Sequence, residues 1–233
     1  MKYTFKVYRF NPETDDAPRY QTYEVDCEEG WTVLDALNYI KWYLDGSVSY
    51  RRSCRHEICG SCAVMMNGKN GLLCNTQVKD LGSKTITIEP LKGFPVLKDL
   101  IVDMDLFIER LKAVNPFFES SEPPTDREYY QSPEDRAIID DAVNCILCGS
   151  CTGSCPSFWY NPDYLGPAAL FKAFRFVYDS RDTAAAERLE LVDDHNGLWR
   201  CHTIFNCMEC CPKNLNITEG IQYLKRLAFM RKI

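Results

Sequence analysis

The sequence predicts an α+β protein in which a strand-rich first part precedes a helical second part. Apolar and polar residues alternate along residues 3–7, as they do in a strand with one buried face. After Pro95 the apolar residues recur instead at the spacing of a helix. A length of 233 residues is enough for two small domains. We place these domains at residues 1–103 and 104–233.

The first domain is predicted to begin with a β-hairpin and a helix. Alternation resumes at residues 21–25 after the turn-rich residues 11–18, which indicates two strands joined by a turn. Thr32 and Asp35 fit a helix-capping pair, and the apolar residues that follow keep helical spacing up to Gly46. Two shorter strands are predicted at residues 63–66 and 85–89. A turn is predicted between them at residues 67–71.

The second domain is predicted to consist of helices. One apolar helix face would be formed by Leu97, Leu100, Ile101, Met104, Phe107, Ile108 and Leu111. Residues 115–131 are rich in Pro, Ser, Glu and Tyr and predict an extended connection. Ser132, followed by Pro133 and Asp135, is typical of a helix start. Further helices are predicted at residues 167–179, 183–192 and 218–231.

Charge and composition exclude several classes of protein. The net charge is −6 and no run of Lys or Arg occurs, so we expect no nucleic-acid partner. The apolar stretches are broken by charged residues, so no membrane span is predicted and any membrane contact must be made through a partner. Residues 1–10 lack the long apolar stretch of a secretory signal, which favours a reducing cytoplasm. In that compartment grouped cysteines bind metals more often than they form disulfides.

Thirteen cysteines make sulfur the most informative feature of the composition. The first group has the spacing C-x4-C-x2-C-x11-C, which matches the plant-type pattern for a [2Fe–2S] cluster. Its members are Cys54, Cys59, Cys62 and Cys74. The alternative is a zinc site of four cysteines, although such sites favour C-x2-C pairs over this uneven loop.

The second group has the spacing C-x2-C-x2-C-x3-C-P of bacterial ferredoxins, and a similar run follows later in the chain. In this pattern three cysteines bind one cluster and the fourth crosses to the other. The later run begins at Cys201 and has Ile204 where its second cysteine should stand. Because isoleucine cannot bind iron, one of the two clusters is predicted to be a [3Fe–4S] cluster.

The crossing rule assigns the remaining ligands. A [4Fe–4S] cluster is predicted at Cys145, Cys148, Cys151 and Cys211. The [3Fe–4S] cluster is predicted at Cys155, Cys201 and Cys207. Cys210 is the alternative fourth ligand of that second site, although it breaks the spacing of the motif. Eleven cysteines are thus ligands, which leaves Cys210 and Cys27 as spares; Cys27 is expected to be a buried apolar side chain.

These motifs resemble the iron–sulfur subunit of succinate dehydrogenase and fumarate reductase. The resemblance extends over nearly the whole chain and is carried by residues 53–55 (SCR), 59–62 (CGSC), 145–148 (CILC), 155–159 (CPSFW), 179–182 (DSRD) and 200–204 (RCHTI). It implies a β-grasp ferredoxin domain of plant type and an all-α dicluster domain. It also implies a flavoprotein partner that holds FAD and the substrate chemistry, and hydrophobic membrane anchors with or without haem b. The chain would pass electrons to a membrane quinone at the cytoplasmic face of the plasma membrane. In a fumarate reductase, which is the alternative, the electrons would move in the opposite direction.

The resemblance further implies a quinone pocket. The matching positions are Pro156, Ser157, Trp159, Tyr160, His202 and Ile204. Two positions depart from the family pattern, because Glu57 stands where glycine is common and Tyr160 stands where many members have tryptophan. Two rival functions remain open at this point, a stand-alone multicluster ferredoxin and a zinc-stabilised binding module.

Overall fold

The computed structural model describes residues 1–121, 123–124 and 126–231, which form two compact units. The first unit comprises Met1–Met104, Ile146–Ser154 and Cys210–Pro212. The second comprises Asp105–Cys145, Cys155–Glu209 and the described residues from Lys213 onward. Within the described residues, no helix is both long enough and apolar enough to cross a bilayer.

The first unit contains a five-stranded mixed sheet. Its strands, in spatial order, are β2 (Arg19–Asp26), β1 (Lys2–Arg9), β5 (Thr85–Glu89), β3 (Ala63–Met66) and β4 (Lys69–Leu72). β1 pairs antiparallel with β2, with Phe5 opposite Tyr23, so the predicted hairpin is confirmed. β1 also pairs parallel with β5. Phe5 and Val7 are fully buried, as the alternating pattern requires.

Helix α1 (Val33–Tyr39) begins at the predicted capping pair. Asp35 N–H donates to Thr32 Oγ1, and the Asp35 carboxylate accepts from Thr32 N–H. The helix continues through a π-helical turn (Ile40–Leu44) and ends at Asp45, next to the expected end at Gly46. The mixed sheet together with α1 is the β-grasp arrangement.

The predicted turn at residues 67–71 is too long. Met66 pairs with Lys69, so the turn contains only Asn67 and Gly68, and β4 begins at Lys69. Both turn residues have left-handed φ values, 47° and 82°. A two-residue hairpin turn of the primed type requires this conformation, and Asn-Gly is its preferred sequence.

The predicted apolar helix at residues 97–111 is wrong in its first half. That segment forms two short strands, β6 (Val96–Lys98) and β7 (Ile101–Val102), and helix α2 (Asp105–Lys112) begins only afterwards. The buried Asp99 between the strands has a φ of 47°. Its carboxylate accepts from Arg9 Nε at 3.1 Å and from the N–H groups of Phe10 and Ser49. These distant partners fix a turn at Asp99, which the local periodicity could not indicate.

The second unit is helical, as predicted. Its remaining helices are α3 (Pro133–Ile138), α4 (Asp140–Val143), α6 (Pro156–Tyr160), α7 (Gly166–Val177), α8 (Ala185–Val192), α9 (Asn206–Glu209) and α10 (Ile217–Arg231), while α5 (Ser150–Gly153) lies in the first unit. Ser132 caps α3 through Asp135 N–H, which confirms the predicted start. The described part of residues 115–131 contains no helix or strand, in agreement with an extended connection.

Helices α7 and α10 pack closely in this unit. A Cβ atom at Gly220 would lie 2.8 Å from ring atoms of Phe171 and Phe174, so only glycine allows α10 to approach α7. Arg188 on α8 is 1% exposed and donates to Asp182 Oδ1 at 2.9 Å and to the carbonyl of Asn115 at 3.0 Å. The buried arginine therefore ties the extended connection to the helices.

Candidate metal centres

Four predicted ligand cysteines are grouped at one end of the hairpin formed by β3 and β4. Cys54 and Cys59 lie in the loop before β3, Cys62 immediately precedes β3, and Cys74 follows β4. Cys54 N–H donates to Cys59 Sγ at 3.5 Å. Cys62 interacts with both Cys59 and Cys74. The hairpin thus returns the distant cysteine to the loop that carries the other three.

Backbone N–H groups of this loop point at the sulfurs. Cys54 Sγ accepts three of them, at 3.3 to 3.5 Å, from His56, Ile58 and Cys59. Cys74 Sγ accepts from Glu57 N–H at 3.4 Å. Arg55, Glu57 and Gly60 have left-handed φ values between 61° and 69°. Left-handed residues placed among right-handed ones turn backbone N–H groups toward one point and form an anion-binding concavity. Glu57 therefore adopts a backbone conformation that favours glycine.

The surroundings shift the cysteine pKa values in opposite directions. A hydrogen bond from the Ser61 side chain, with further bonds from backbone N–H groups, lowers the pKa of Cys59 to about 6. Burial raises the pKa of Cys62 to about 12. Four sulfur donors with several N–H groups aimed at them fit a thiolate-ligated iron–sulfur cluster.

The predicted four-iron ligands are divided between the two units. Cys148, Cys151 and Cys211 belong to the first unit, and Cys145 belongs to the second. A Cβ atom at Gly60 would lie 2.8 Å from both Cα and Cβ of Cys148. The loop around the first cysteine group therefore contacts the segment that carries the second group. This close approach needs glycine at residue 60.

A polar side chain of the sheet holds that second segment in place. Asn70 on β4 is buried and its Nδ2 donates to the Ser150 carbonyl at 3.2 Å and to Ser154 Oγ at 2.8 Å. Leu147 and Gly149 have left-handed φ values of 54° and 83°, as in the first loop. The sequence did not single out Asn70, because nothing in its local pattern separates it from other strand residues.

A pocket in the second unit brings together the three remaining ligand cysteines, Cys155, Cys201 and Cys207, with Ile204. The other predicted residues that line it are Pro156, Ser157 and His202. The sequence did not single out the seven further lining residues, which are Tyr164, Pro167, Thr203, Phe205, Asn206, Thr218 and Ile221. The three cysteines therefore line one pocket together with Ile204, which stands at the second position of the later run.

Each of these three sulfurs has a hydroxyl group beside it. In the pocket lining, Ser157 lies beside Cys155 and Tyr164 lies beside Cys201. Thr218 Oγ1 lies 3.5 Å from Cys207 Sγ. Burial raises the pKa values of Cys155 and Cys207, so in this pocket the thiolate forms need a partner charge. Metal binding supplies that charge and releases the proton.

The loop after Cys201 repeats the geometry of the other cysteine loops. Thr203 and Phe205 have left-handed φ values of 58° and 70°. Lys225 on α10 donates to the Cys201 carbonyl at 2.7 Å, and Gln222 donates to Thr203 Oγ1 at 3.1 Å. One polar face of α10 thus holds the loop. The helical spacing of Gln222 and Lys225 was the available sequence signal for this role.

Two of the predicted quinone residues lie outside the pocket lining. Trp159 is half-buried and Tyr160 is 85% exposed, the highest exposure among the large apolar and aromatic side chains described. His202 is exposed beside the pocket, and Ile204 is 45% exposed. The predicted quinone residues therefore form a pocket rim and a neighbouring exposed surface rather than one enclosed cavity.

The two spare cysteines are buried. Cys27 follows β2 and is 3% exposed, as predicted. Cys210 is also buried and belongs to the first unit. Among the residues described, no three His, Cys, Asp or Glu side chains converge on a point suited to a single metal ion. Ligands of a multi-iron cluster bind different iron atoms, so they need no such common point.

Two family comparisons match the two halves of the chain. Residues 4–109 match the 2Fe-2S iron-sulfur cluster binding domain, and residues 137–212 match the 4Fe-4S dicluster domain. A strand-rich [2Fe–2S] ferredoxin domain thus precedes a helical dicluster domain, which confirms the predicted fold class.

Whole-chain relatives are more specific. The succinate dehydrogenase iron-sulfur subunit of Coxiella burnetii is 43% identical over 95% of this chain and 95% of the relative. That of Paracoccus denitrificans is 44% identical over 96% of this chain and 86% of the relative. A chain of the Mycobacterium smegmatis Sdh1 complex in the apo form superposes with a TM-score of 0.87 at 25% identity, covering 99% and 97% of the two chains. The chain therefore belongs to the family of succinate dehydrogenase iron–sulfur subunits.

Proposed function

We propose that this chain is the electron-transfer subunit of a respiratory succinate:quinone oxidoreductase. It would accept electrons from the FAD of a flavoprotein subunit and deliver them to a quinone at the membrane. The observation that carries the proposal is the pocket that joins Cys155 of the earlier ferredoxin run to Cys201, Ile204 and Cys207 of the later run. That combination fits a three-iron centre within a family of succinate dehydrogenase subunits.

The ligands follow the three cysteine groups. Cys54, Cys59, Cys62 and Cys74 would hold a [2Fe–2S] cluster, and Cys145, Cys148, Cys151 and Cys211 a [4Fe–4S] cluster. Cys155, Cys201 and Cys207 would hold a [3Fe–4S] cluster. Bound in this order, the clusters supply one-electron carriers between a two-electron flavin and the quinone. The contact between Gly60 and Cys148 supports a short route from the first group to the second.

The exposed residues beside the three-cysteine pocket suit a quinone and the subunits around it. His202 can donate a hydrogen bond to a quinone oxygen, and Ile204 offers an apolar contact at the pocket rim. Pro156, Ser157 and Trp159 lie on the adjoining α6, and Tyr160 would complete the site from the exposed end of that helix. An aromatic ring with 85% exposure is explained if an anchor subunit covers it in the complex.

The partners follow from this role. We propose an FAD-containing flavoprotein subunit and hydrophobic anchor subunits, with or without haem b, that hold the chain at the cytoplasmic face of the plasma membrane. The substrate chemistry would belong to the flavoprotein, and the quinone would bind where this chain meets the anchors.

The test uses the complex purified anaerobically from its own cells. Succinate should abolish the electron paramagnetic resonance (EPR) signal of the oxidised three-iron centre, and a quinone analogue should restore it. Cys201→Ala should keep succinate-driven reduction of an artificial dye but lose quinone reduction by at least about tenfold. Cys27→Ala, at a spare cysteine, is the matched control and should retain both activities. Quinone reduction at the wild-type rate in Cys201→Ala would refute the proposal.

A further inference from the structure

The three-cysteine pocket contains side chains that neither the cluster ligands nor the predicted quinone residues account for. Tyr164 follows α6 and is 1% exposed, although it carries a polar hydroxyl group. Thr218 lies in the first turn of α10 and is also buried. A buried tyrosine or threonine hydroxyl needs a hydrogen-bond partner, because an unpaired polar group in the interior is costly.

For both residues the partner is a cysteine sulfur. Tyr164 lines the pocket beside Cys201 and interacts with its sulfur, and Thr218 Oγ1 lies 3.5 Å from Cys207 Sγ. With Ser157 beside Cys155, each of the three sulfurs has its own hydroxyl group. Tyr164 and Thr218 lie on different segments, so two separate parts of the fold each place a hydroxyl group beside a cysteine sulfur.

The direction of these hydrogen bonds follows from metal ligation. A cysteine bound to iron has lost its proton and can only accept. Tyr164 and Thr218 must then donate, whichever atom is the donor in the absence of iron. Each hydroxyl therefore presents the positive end of its O–H dipole to a negatively charged sulfur, in surroundings from which water is largely excluded.

We propose that Tyr164 and Thr218 are positioning residues that raise the reduction potential of the three-iron centre by donating hydrogen bonds to Cys201 and Cys207. The inference rests on the proposed function, because it takes the three-iron centre as given. One-electron reduction adds negative charge to the site, so the two donors stabilise the reduced form more than the oxidised form. A higher potential at this last centre would favour arrival of the electron next to the quinone.

The experiment is an EPR-monitored redox titration of the three-iron centre in the purified complex. Tyr164→Phe and Thr218→Val each remove one hydroxyl and keep the approximate shape. In each variant we expect the equilibrium between the oxidised and reduced three-iron centre to move about tenfold toward the oxidised form. For a one-electron couple this lowers the reduction potential by about 59 mV.

Two control variants separate donation from packing. Tyr178→Phe removes a hydroxyl of the same unit that donates to the Tyr223 carbonyl instead of a cysteine, and it should leave the potential unchanged. Thr218→Ser keeps a hydroxyl at the same position and should therefore keep most of the wild-type reduction potential.

The outcomes distinguish this inference from the proposed function. An intact three-iron signal with an unshifted or raised potential in both Tyr164→Phe and Thr218→Val would overturn the inference alone. Loss of the signal in those variants would also overturn it, because the hydroxyls would then be needed for assembly rather than for the potential. Absence of the signal from the wild-type complex would overturn the proposed function itself.

Discussion

The loop of Cys54 to Cys74 and the pocket of Cys155, Cys201 and Cys207 surround their sulfurs with different donors. In the loop, backbone N–H groups supply most of the hydrogen bonds, and left-handed residues aim them. In the pocket, each sulfur has a side-chain hydroxyl beside it. Backbone donors are fixed by the fold, whereas hydroxyl donors can be changed one residue at a time. Single substitutions can therefore remove donors from the pocket more easily than from the loop.

The two regions also differ in what surrounds them. Ile58 in the loop is 59% exposed and Cys59 is exposed, which leaves this side of the first cysteine group at the surface, although Cys62 is buried. In the pocket, Cys155 and Cys207 are half-buried, and burial raises their thiol pKa values. A loop at the surface suits contact with an electron donor from another subunit. A partly enclosed pocket suits a centre that must be kept from water.

The largest expected effect is the separate loss of each cluster. Cys54→Ala removes a ligand from the loop and Cys201→Ala removes one from the pocket, and an incomplete thiolate set cannot hold its cluster. From about nine iron atoms per chain, we expect a loss of about two in Cys54→Ala and about three in Cys201→Ala. Iron analysis with EPR measures both. If Cys54→Ala also eliminated the three-iron signal, the two regions would not be independent sites.

The next effect changes the cluster without destroying it. Ile204→Cys places a thiol at the second position of the later cysteine run, so the three-iron centre should convert toward a four-iron centre with a lower potential. Iron content should rise by about one atom per chain. Ile204→Val leaves the position apolar and is the matched control, with unchanged iron. An unchanged iron content and three-iron signal in Ile204→Cys would mean that the vacant corner does not face residue 204.

A buried arginine stabilises each unit, and removing either one should destabilise the fold. Arg9 is paired with Asp99 in the first unit, and Arg188 with Asp182 in the second. Arg9→Met and Arg188→Met each leave a buried carboxylate unpaired, which costs about 3–5 kcal/mol in the free energy of unfolding.

Denaturant unfolding measures this cost. The control is Arg231→Met, whose pair with Glu190 is exposed and worth less than about 1 kcal/mol. Equal losses in Arg188→Met and Arg231→Met would show that the buried pair stabilises the unit no more than a surface pair does.

A smaller effect concerns the contact between the first loop and Cys148. Gly60→Ala adds a Cβ atom 2.8 Å from Cys148 at a φ of 69°, so it combines overpacking with backbone strain and should cost about 2–4 kcal/mol. Gly30→Ala has a similar φ of 83° but meets nothing within 4 Å, and strain alone should cost about 1 kcal/mol. Unfolding experiments on both variants isolate the contact. Similar losses in the free energy of unfolding for the two variants would indicate that the segment carrying Cys148 moves away from residue 60 at no cost.

Local patterns predicted much of the fold and of the candidate site. The hairpin of β1 and β2, the capping pair at Thr32 and the helices of the second unit all follow from periodicity and capping signals that neighbouring residues share. These features depend on interactions within a few residues of the chain. The three-cysteine pocket was proposed from the ligand pattern of two motifs, because Cys155 belongs to the earlier run and Cys201, Ile204 and Cys207 belong to the later run.

Features set by distant contacts could not be predicted in this way. The helix predicted at residues 97–111 gave way to strands because Asp99 binds groups some 50 to 90 residues away in the chain. Tyr164 and Thr218 were missed because only the folded chain brings their hydroxyl groups to Cys201 and Cys207. Trp159 and Tyr160 fall outside the pocket lining because the short helix α6 directs them elsewhere, which a motif cannot specify.

The most direct test of the account is the EPR spectrum of the air-oxidised wild-type complex. Oxidised two-iron and four-iron clusters are diamagnetic, whereas an oxidised three-iron cluster has an unpaired electron. The account predicts one signal, equivalent to about one spin per chain, that disappears on reduction. A silent oxidised spectrum with about ten iron atoms per chain would contradict it, because the pocket of Cys155, Cys201 and Cys207 would then hold a complete four-iron cluster.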